Sequence, residues 1–574
     1  MSRSKIKVLI HSNYSRLVTG FGKNMRNILM ALHEDPEMEV VEAANGVSFG
    51  LDLQTPWESY GTYPSDSVIL NKIHNDPAKK RVAQYGYYTI DSIIEKVKPD
   101  IYLGIEDIWA FREFENKEWW KKTKTILWTT LDSSPILHTA KDMYSKCDKM
   151  LVWASFAERE MKDLGCKNTE TIHGAVSYQN FRPLKNRKEV RNSHRINDEF
   201  IIGFVFKNQL RKSVPNLLEG FKLFKQKNPE IKAKLLLHTD WSENKSGWDI
   251  PRYLDEKQIN KEDVLSTYLC HECSSYYLSP YQGEDLNCPN CVSEKSVKTK
   301  TSAKGVSEEQ LNEIYNIMDV YCHPFTSGGQ ELPIQEAKAA GLITLVTNYS
   351  CGEDSCHNHQ GGIPLSWHEY REPSTQFIKA STDPESICEE LDNVFKMTQT
   401  EKNELIRKGQ ENIRKEFSVE ETVFKLKKTI LDIHSKKSKR IEKIQEDKKE
   451  DEEQVEEKHF SDMLDDEGAE NRILVVSPAT ESGTLMINSL LKNIQKNYID
   501  KKIYLAINPK LKQLVEDNAN VHKILPYHNG FDNPSFLEGQ GKHIGYFDIA
   551  FMPNLEDGRE GYYCHNGKEK IQFF

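Results

Sequence analysis

The sequence predicts an α/β protein built from two Rossmann-like lobes that face each other across a cleft. Three observations lead to this prediction. Short apolar runs alternate with helical patterns over residues 5–180, the same alternation restarts at Phe200, and glycine-rich or basic turns follow several predicted strands. This alternation is typical of parallel sheets covered by helices. Such sheets bind ligands at the carboxyl ends of their strands, so the cleft is the expected site.

The composition is that of a globular protein with some strongly polar segments. Of 574 residues, 38% are hydrophobic and 29% are charged, and the mean hydropathy is −0.66. No apolar run reaches the length of about 18 residues that a membrane-spanning helix needs. The first apolar run, residues 6–10, is too short for the core of a signal peptide. We therefore expect a cytoplasmic protein, or one in the host cytoplasm if a virus encodes it. The net charge of −10 excludes nucleic-acid binding through an overall positive charge.

The first lobe is predicted to cover residues 1–185. Its first long helix spans residues 22–32, where apolar side chains recur at helical spacing. Short apolar runs predict its strands at residues 7–10, 101–105, 125–129 and 149–153.

The second lobe is predicted to cover residues 186–430 and repeats the pattern. Its strands are expected at residues 201–206, 233–239, 320–324 and 343–347. Its helices are expected at residues 215–225, 308–317 and 332–340.

Three further segments depart from this rhythm. Residues 265–301 form a cysteine-containing insertion in the second lobe. Residues 431–470 are dominated by Lys, Glu and Asp, which suits either a solvated helix or a disordered linker. Residues 471–574 restart a small α/β pattern, with strands at 472–477, 502–507 and 547–552 and a helix at 486–493. Its length suits part of a larger lobe.

A glycine turn follows the first strand and opens the first long helix. Gly20 and Gly22 lie in this turn, at residues 18–24. Glycines let the backbone approach a ligand closely, and a helix N-terminus offers free N–H groups to an anion. An ordinary turn between a strand and a helix would also use glycine, so both interpretations stay open.

A basic turn follows the first strand of the second lobe. It contains Asn208, Arg211 and Lys212. Paired cations can neutralise a diphosphate, and Arg can bind it through two parallel hydrogen bonds. A solvated basic turn is the alternative, but the position directly after a buried strand favours ligand binding.

A second glycine-rich loop precedes the helix predicted at residues 332–340. Its loop amides can surround phosphate oxygens at the helix start. Glu336 falls near the end of the first helical turn, where a carboxylate can accept both hydroxyls of a ribose. Alternatively, the acidic side chains only complement the helix dipole. The candidate ligand-binding residues of the loop are Ser327, Gly328, Gly329 and Gln330.

Two C-x-x-C pairs predict a zinc ribbon in the insertion. The ligands are Cys270, Cys273, Cys288 and Cys291, a spacing typical of zinc-ribbon sites. Four thiolates close the coordination sphere, so the zinc is expected to be structural. Aromatic and basic residues between and after the pairs suit contact with a polymeric acceptor or, equally, a purely structural role. These residues are Tyr276, Tyr277, Tyr281, Lys295, Lys298 and Lys300.

These motifs occur in an order that resembles glycosyltransferase family 4, a group of retaining enzymes with the GT-B fold. The resemblance covers roughly residues 5–430. The turn at Gly20 and Gly22 resembles the family's first-lobe glycine loop, and residues 208–212 resemble its donor diphosphate clamp. The segment that starts at Val306 is similar to the one whose backbone contacts the donor base.

The loop at residues 327–336 resembles the family's Glu-x7-Glu motif but departs from it at one position. Glu336 matches the second glutamate, which the resemblance implies is the ribose ligand. The first glutamate, expected beside the transferred sugar, falls on Gly328. Glu331 lies nearby, out of register, and is the candidate to replace it.

The resemblance implies transfer of a hexosyl or pentosyl group from a nucleotide-diphosphate sugar, with retention and without a catalytic metal. Arg211, Lys212 and loop amides would neutralise the leaving diphosphate. Asp107 and Asp132 would orient the acceptor hydroxyl or act as its base. For Asp132 a purely turn-forming role is an equal alternative.

The acceptor class stays open among a glycan, a protein, a lipid head group and a modified DNA base, with the ribbon favouring a polymer. A competing function is a binding or scaffold protein on a degenerate GT-B core, since Gly328 replaces the first glutamate. A GT-B epimerase or phosphorylase is a third alternative. The segment after residue 471 resembles the start of a heptosyltransferase first lobe, which suits docking or a truncated second transferase.

Overall fold

The computed structural model describes residues 5–299, 305–438, 440–442, 460–465, 468–478, 480–527, 531 and 545–552. The chain divides into two compact units, Met1–Gln445 and Glu446–Phe574. None of the helices in the described ranges is long and apolar enough to span a membrane. The larger unit contains the two predicted lobes.

The first lobe is a seven-stranded parallel sheet with helices on its faces. The strands are β1 (Ile6–Asn13), β2 (Met38–Ser48), β3 (Glu58–Tyr63), β4 (Ile101–Ile105), β5 (Lys124–Thr129), β6 (Lys149–Val152) and β7 (Thr169–Thr171). The helices are α1 (Gly20–His33), α2 (Ser67–His74), α3 (Pro77–Gln84), α4 (Ile90–Val97), α5 (His138–Lys146) and α6 (Ser155–Asp163). The strand order is β3-β2-β1-β4-β5-β6-β7, so the order reverses between β1 and β4. Ligands of open parallel sheets bind at such a reversal.

The second lobe is built around an eight-stranded sheet. Its first half contains α7 (Arg187–Ser193), β8 (Phe200–Val205), α8 (Val214–Lys227), β9 (Ala233–His238), α9 (Ile250–Glu256), β10 (Val264–Cys270), β11 (Tyr276–Pro280) and β12 (Val297–Lys298). Its second half contains α10 (Glu308–Ile317), β13 (Val320–His323), α11 (Leu332–Ala339), β14 (Ile343–Thr347), β15 (Gly362–Leu365), β16 (Trp367–Arg371), β17 (Ile378–Thr382), α12 (Pro384–Lys396) and α13 (Gln399–Asn412). The order β11-β10-β9-β8-β13-β14-β15, with β12 against β10, makes the cysteine insertion an extension of this sheet.

The apolar runs that predicted the strands are buried because helices cover both faces of each sheet. Every residue of β4, β8, β13 and β14 is buried. Such strands read as continuous apolar runs rather than alternating ones. The antiparallel hairpin β16–β17 was not predicted, because most of β16 is exposed and its sequence carries no apolar run.

The last helix of the larger unit returns to the first lobe. This helix, α14 (Val419–Ser435), places Leu426 and Ile430 in the core beneath the first-lobe sheet. The expected lobe boundary at residue 430 therefore falls inside a helix that packs on the first lobe. Beyond it, Arg440 contacts Asp148 at 2.8 Å. Residues 443–459 of the predicted charged linker lie outside the described residues.

The smaller unit contains a four-stranded parallel sheet and one long helix. Its elements are β18 (Arg472–Val476), α15 (Glu481–Asn497), β19 (Lys502–Ile507), β20 (Lys523–Pro526) and β21 (Ile549–Phe551). The order β20-β19-β18-β21 has the same pattern as the first four strands of the first lobe. The predicted strands at 472–477, 502–507 and 547–552 each overlap an observed strand, and β20 was missed. Residues 553–574 lie outside the described residues.

Candidate functional site

A cavity of about 390 Å³ lies between the two lobes of the larger unit. Both lobes line it at the carboxyl ends of their parallel strands. The predicted site residues that it brings together are Gly20, Asp107, Asp132, Arg211, Gly329 and Gln330. Unpredicted aromatic side chains also line it, and they are Phe21, Trp109, Trp153 and Phe377. A larger cavity of about 1100 Å³ beside α14 contains none of the predicted residues.

The glycine turn caps α1 and contributes one wall of the cavity. Thr19 Oγ1 accepts a hydrogen bond from Gly22 N at 3.0 Å. A Cβ atom on Gly22 would lie 2.4 Å from the Leu17 carbonyl oxygen, so the turn requires glycine there. Gly20 lines the cavity, and its nearest neighbour in the direction of a Cβ is Leu332, 3.9 Å away. Gly22 thus shapes the turn, while Gly20 leaves room at the cleft.

The two cations of the basic turn differ in their access to the cleft. Arg211 lines the cavity, and 38% of its side chain is exposed. Lys212 is 3% exposed and lies behind it. Both side chains bind Glu331. Burial and the nearby charge of Arg211 lower the pKa of Lys212 to about 8, against the opposing effect of Glu331.

Glu331 is buried rather than exposed in the cleft. It accepts from Arg211 and Lys212 with different oxygens, and His323 Nε2 lies 3.4 Å from its Oε2 atom. Burial alone would raise the pKa of Glu331, but the two cations outweigh burial and hold it well below its usual range. A Cβ on Gly328 would lie 2.8 Å from Glu331 Oε1. The Glu331 carboxylate therefore fills the space that a side chain at residue 328 would enter.

Asn208 has a different setting from the one expected. Its Nδ2 donates to the carbonyls of Asp240, Glu243 and Trp248, and its Oδ1 accepts from Trp248 N at 2.8 Å. The side chain is buried and holds the loop at residues 240–248. Its polar atoms are thus occupied by backbone and do not face the cavity.

Glu336 forms a bridge between the lobes. Its Oε1 accepts from Lys23 Nζ of the first lobe at 2.9 Å. Its Oε2 accepts from the hydroxyl of Tyr315, on α10, at 2.8 Å. Val306 lies one residue before the N-cap of α10 and packs against the second-lobe core. Neither Lys23 nor Tyr315 was singled out from the sequence, although Lys23 directly follows the glycine turn.

The rest of the second glycine-rich loop also joins the lobes. Gln330 pairs with the Gly174 backbone, accepting from its N at 2.6 Å and donating to its O at 3.0 Å. A Cβ on Gly329 would lie 2.3 Å from Thr130 Cβ, so this close approach requires glycine. Ser327 Oγ accepts from Lys379 Nζ at 2.7 Å.

Lys379 was missed by the sequence analysis because it lies on the unpredicted hairpin strand β17. It is buried between the lobes and donates to Ser133 Oγ at 2.7 Å. Its Nζ lies 3.8 Å from Asp132 Oδ1. Asp132, at a first-lobe strand end, thus faces a cation supplied by the second lobe.

The two first-lobe carboxylates meet at the cavity. Asp107 accepts a hydrogen bond from the Thr130 hydroxyl. Burial raises the pKa of Asp107, and the charge of nearby Asp132 raises it further, while Thr130 opposes the rise. A carboxylate with a raised pKa at a strand end suits proton transfer to or from a ligand.

A buried polar network lies behind Asp107 and was not predicted. Glu106 Oε1 accepts from Asn45 Nδ2 at 3.3 Å, and Asn45 Oδ1 lies 2.8 Å from His11 Nε2. His11 Nδ1 lies 2.7 Å from the Tyr102 hydroxyl. Burial raises the pKa of Glu106 to about 8 and lowers that of His11 to about 4, so both side chains are neutral at pH 7.

The four insertion cysteines lie together at the end of β10. Their Sγ atoms all lie within 4.8 Å of one another. Cys270 Sγ is 3.7 Å from Cys291 Sγ, and Cys273 Sγ is 3.8 Å from Cys288 Sγ. A tetrahedral site with Zn–S bonds of about 2.3 Å separates its sulfurs by about 3.8 Å. The donor set and its geometry therefore fit a structural zinc ion.

No family model and no curated protein matches the sequence. Among solved structures, sucrose-phosphate synthase from Thermosynechococcus elongatus is similar, with a TM-score of 0.53 and 11% identity over 75% of this chain and 100% of that chain. A second is trehalose-6-phosphate from E. coli bound with UDP-2-fluoro glucose. Its TM-score is 0.50, with 12% identity over 75% of this chain and 100% of that chain. A third is the N-terminal domain of Candida albicans trehalose-6-phosphate phosphatase. Its TM-score is 0.50, with 13% identity over 76% of this chain and 97% of that chain.

At these identities the similarity is one of fold. The matches extend over three quarters of this chain and nearly all of each matched chain. Together with the two facing parallel sheets, they confirm the prediction of two Rossmann-like lobes: the larger unit of this chain has the GT-B fold.

Proposed function

We propose that this chain is a glycosyltransferase that moves a hexosyl or pentosyl group from a nucleotide-diphosphate sugar to an acceptor hydroxyl, with retention. One observation carries the proposal. The interlobe cavity combines an exposed arginine and glycine-rich backbone from the second lobe with two carboxylates from the first. That arrangement suits an anionic donor on one side and a nucleophilic hydroxyl on the other.

The donor is assigned to the second-lobe side. Arg211, whose side chain is 38% exposed and lines the cavity, would contact the diphosphate, and backbone near Gly20 and Gly329 approaches it from both lobes. The ribose is assigned to Glu336 on the family resemblance. Its side chain is 4% exposed and does not line the cavity, so ribose binding would require Lys23 and Tyr315 to release it. The similar E. coli structure is bound with UDP-2-fluoro glucose, which supports a nucleotide-sugar donor for this fold.

The acceptor is assigned to the first-lobe side, beside Asp107 and Asp132. The bond between the sugar C1 and the donor phosphate oxygen breaks, and a bond from C1 to the acceptor oxygen forms on the same face. The acceptor proton passes to the leaving phosphate or to one of the two carboxylates. Arg211 and the loop amides stabilise the charge that develops on the leaving diphosphate, so the scheme uses no metal in the cleft.

Zinc is assigned only a structural role. The four cysteines would hold it in a closed site at the outer edge of the second-lobe sheet. We further propose a cytoplasmic protein with a polymeric acceptor, such as a glycan, a protein or modified DNA. The ribbon's exposed cysteine knuckles support contact with a partner outside the cleft.

Replacing Arg211 by Ala tests the proposal. We expect release of nucleoside diphosphate from the preferred donor to fall by about 10²- to 10³-fold, because the leaving diphosphate loses its exposed cation. Because Glu331 then keeps only Lys212 as a partner, the variant should unfold at a lower temperature, and turnover is compared well below that temperature, where the variant is folded. Arg407→Ala on the exposed face of α13 is the matched control and should keep full activity. Near-normal turnover by Arg211→Ala would refute the donor assignment.

A further inference from the structure

The donor clamp already contains an anion that the protein itself supplies. Glu331 accepts from Arg211 with Oε1 and from Lys212 with Oε2. Only 4% of the glutamate side chain is exposed, and it does not line the interlobe cavity. A buried carboxylate that is bonded by two cations is held strongly in place, because separating these charges in a low-dielectric interior is costly.

The residues around Glu331 restrict where its carboxylate can lie. The absence of a side chain at Gly328 creates the space that Glu331 Oε1 occupies. His323 lies against the other oxygen, and Lys212 is closed off behind it. Arg211 alone keeps part of its side chain open to the cavity. A diphosphate that enters the cleft can therefore contact Arg211 but not Lys212.

The charges of this cluster determine what the clamp can bind. Arg211 and Lys212 contribute two positive charges and Glu331 contributes one negative charge, so the net charge of these three side chains is +1. The diphosphate that they would bind carries at least two negative charges. A clamp of net charge +2 would hold the diphosphate more tightly, both in the donor and in the nucleoside diphosphate product.

We propose that Glu331 is a permanent counter-ion of the donor clamp, which ties up Lys212 and leaves Arg211 as the cation that contacts the diphosphate. This inference rests on the proposed function. Glu331 is then an affinity-determining residue that does not touch the sugar. It weakens binding of donor and product alike and so favours release of the nucleoside diphosphate after transfer.

Titration calorimetry with inorganic pyrophosphate tests the charge argument without knowledge of the donor base. At pH 6, which favours the protonated form of Lys212 once the glutamate that raises its pKa is gone, we expect Glu331→Gln, with a clamp charge of up to +2, to bind pyrophosphate about tenfold more tightly than the wild type. Lys212→Met, with a clamp charge of zero, should bind at least tenfold more weakly. Glu404→Gln, which removes an exposed charge on α13, is the matched control and should bind as the wild type does.

The double variant Glu331→Gln/Lys212→Met gives the decisive comparison. It restores the clamp charge to +1 and replaces the buried ion pair by uncharged side chains, a change that proteins often tolerate. It therefore remains informative if a single variant fails to fold. We expect wild-type affinity for pyrophosphate in this variant.

Loss of pyrophosphate binding in the double variant would overturn the inference, since Lys212 would then contact the diphosphate directly. Unchanged or weaker binding at pH 6 in a folded Glu331→Gln variant would also overturn it. Both results leave the proposed function standing if Arg211→Ala still lowers turnover as expected. Absence of nucleoside diphosphate release from every donor by the wild type would instead refute the proposed function itself.

Discussion

Glu106 lies one residue before Asp107, and the first lobe encloses almost all of its side chain. Its pKa is raised to about 8 by burial, so the folded protein keeps the carboxyl protonated at pH 7. In the unfolded chain the same group ionises near its ordinary pKa. Between about pH 4.5 and pH 8 the folded state therefore binds one more proton than the unfolded state, and stability falls as the pH rises.

Glu106→Gln should remove this loss of stability while keeping an acceptor for Asn45 Nδ2. We expect the variant to be more stable than the wild type at pH 8, by an amount on the order of 2–5 kcal/mol, and to differ little near pH 4.5. Thermal unfolding measured by circular dichroism at both pH values checks this. A gain that is equal at the two pH values, or larger at low pH, would contradict the buried neutral carboxyl.

For single residues, the sequence could predict which side chains lie at strand ends beside the cleft. It could not predict which groups those side chains bind. Asp107, Asp132 and Arg211 follow parallel strands, and strand ends meet at the cleft, so their place beside the cavity could be expected. Asn208 follows the same strand as Arg211, yet its amide holds the loop at residues 240–248. Lys379 lies on a hairpin that no sequence pattern indicates. Only the packing of the lobes brings it beside Asp132.

The cysteine insertion, predicted to be a zinc ribbon, contacts α10, the helix that carries Tyr315. Ser274 O, at the first cysteine knuckle, accepts from Gln310 Nε2 of α10 at 2.8 Å, and the Tyr276 hydroxyl donates to Glu313 Oε2 at 2.8 Å. Farther along α10, Tyr315 donates to Glu336. These contacts join the insertion, through α10, to Glu336. A role for the ribbon in acceptor selection stays a prediction.

Uncoupling the ribbon from α10 should weaken donor binding. We expect the variant Tyr276→Phe/Gln310→Glu, which keeps the acceptor for Ser307 N in the capping box of α10, to raise the KM for the donor several-fold with little change in kcat, because α10 is held less firmly while the transferring groups stay intact. Steady-state kinetics check this. Metal analysis should still find one zinc per chain, which separates loss of the contacts from loss of the ribbon. An unchanged KM would show that α10 needs no support from the ribbon.

The strands that are buried on both faces of a sheet were the elements that the sequence predicted best. The strands β8 and β14 are mostly apolar and fully buried, and both were predicted within one residue. The strands β16 and β20 are short and only partly buried, so their residues lack an apolar run or a clear alternation. The four cysteines were predicted correctly as one cluster because their spacing alone brings two knuckles together.

For the whole larger unit, the two-lobed arrangement followed from the repeated strand–helix rhythm, but the bonds between the lobes did not. Lys23 reaches Glu336 across the cleft, and Arg159 makes two hydrogen bonds to Glu353 at 3.0 and 3.2 Å. These partners are separated by about 200 residues or more, and no local pattern pairs them. If Glu336 binds the donor ribose as proposed, donor binding and this contact between the lobes are coupled.

The most direct measurement is a donor screen read by mass. The full chain, with zinc bound, is incubated with UDP-, GDP-, ADP- and dTDP-sugars, and free nucleoside diphosphate and glycosylated products are identified by mass spectrometry. The account predicts that the wild type releases nucleoside diphosphate from at least one donor, at a rate that Arg211→Ala lowers by about 10²-fold or more. A wild type that binds a donor without releasing nucleoside diphosphate, or an Arg211→Ala variant as active as the wild type, would contradict it.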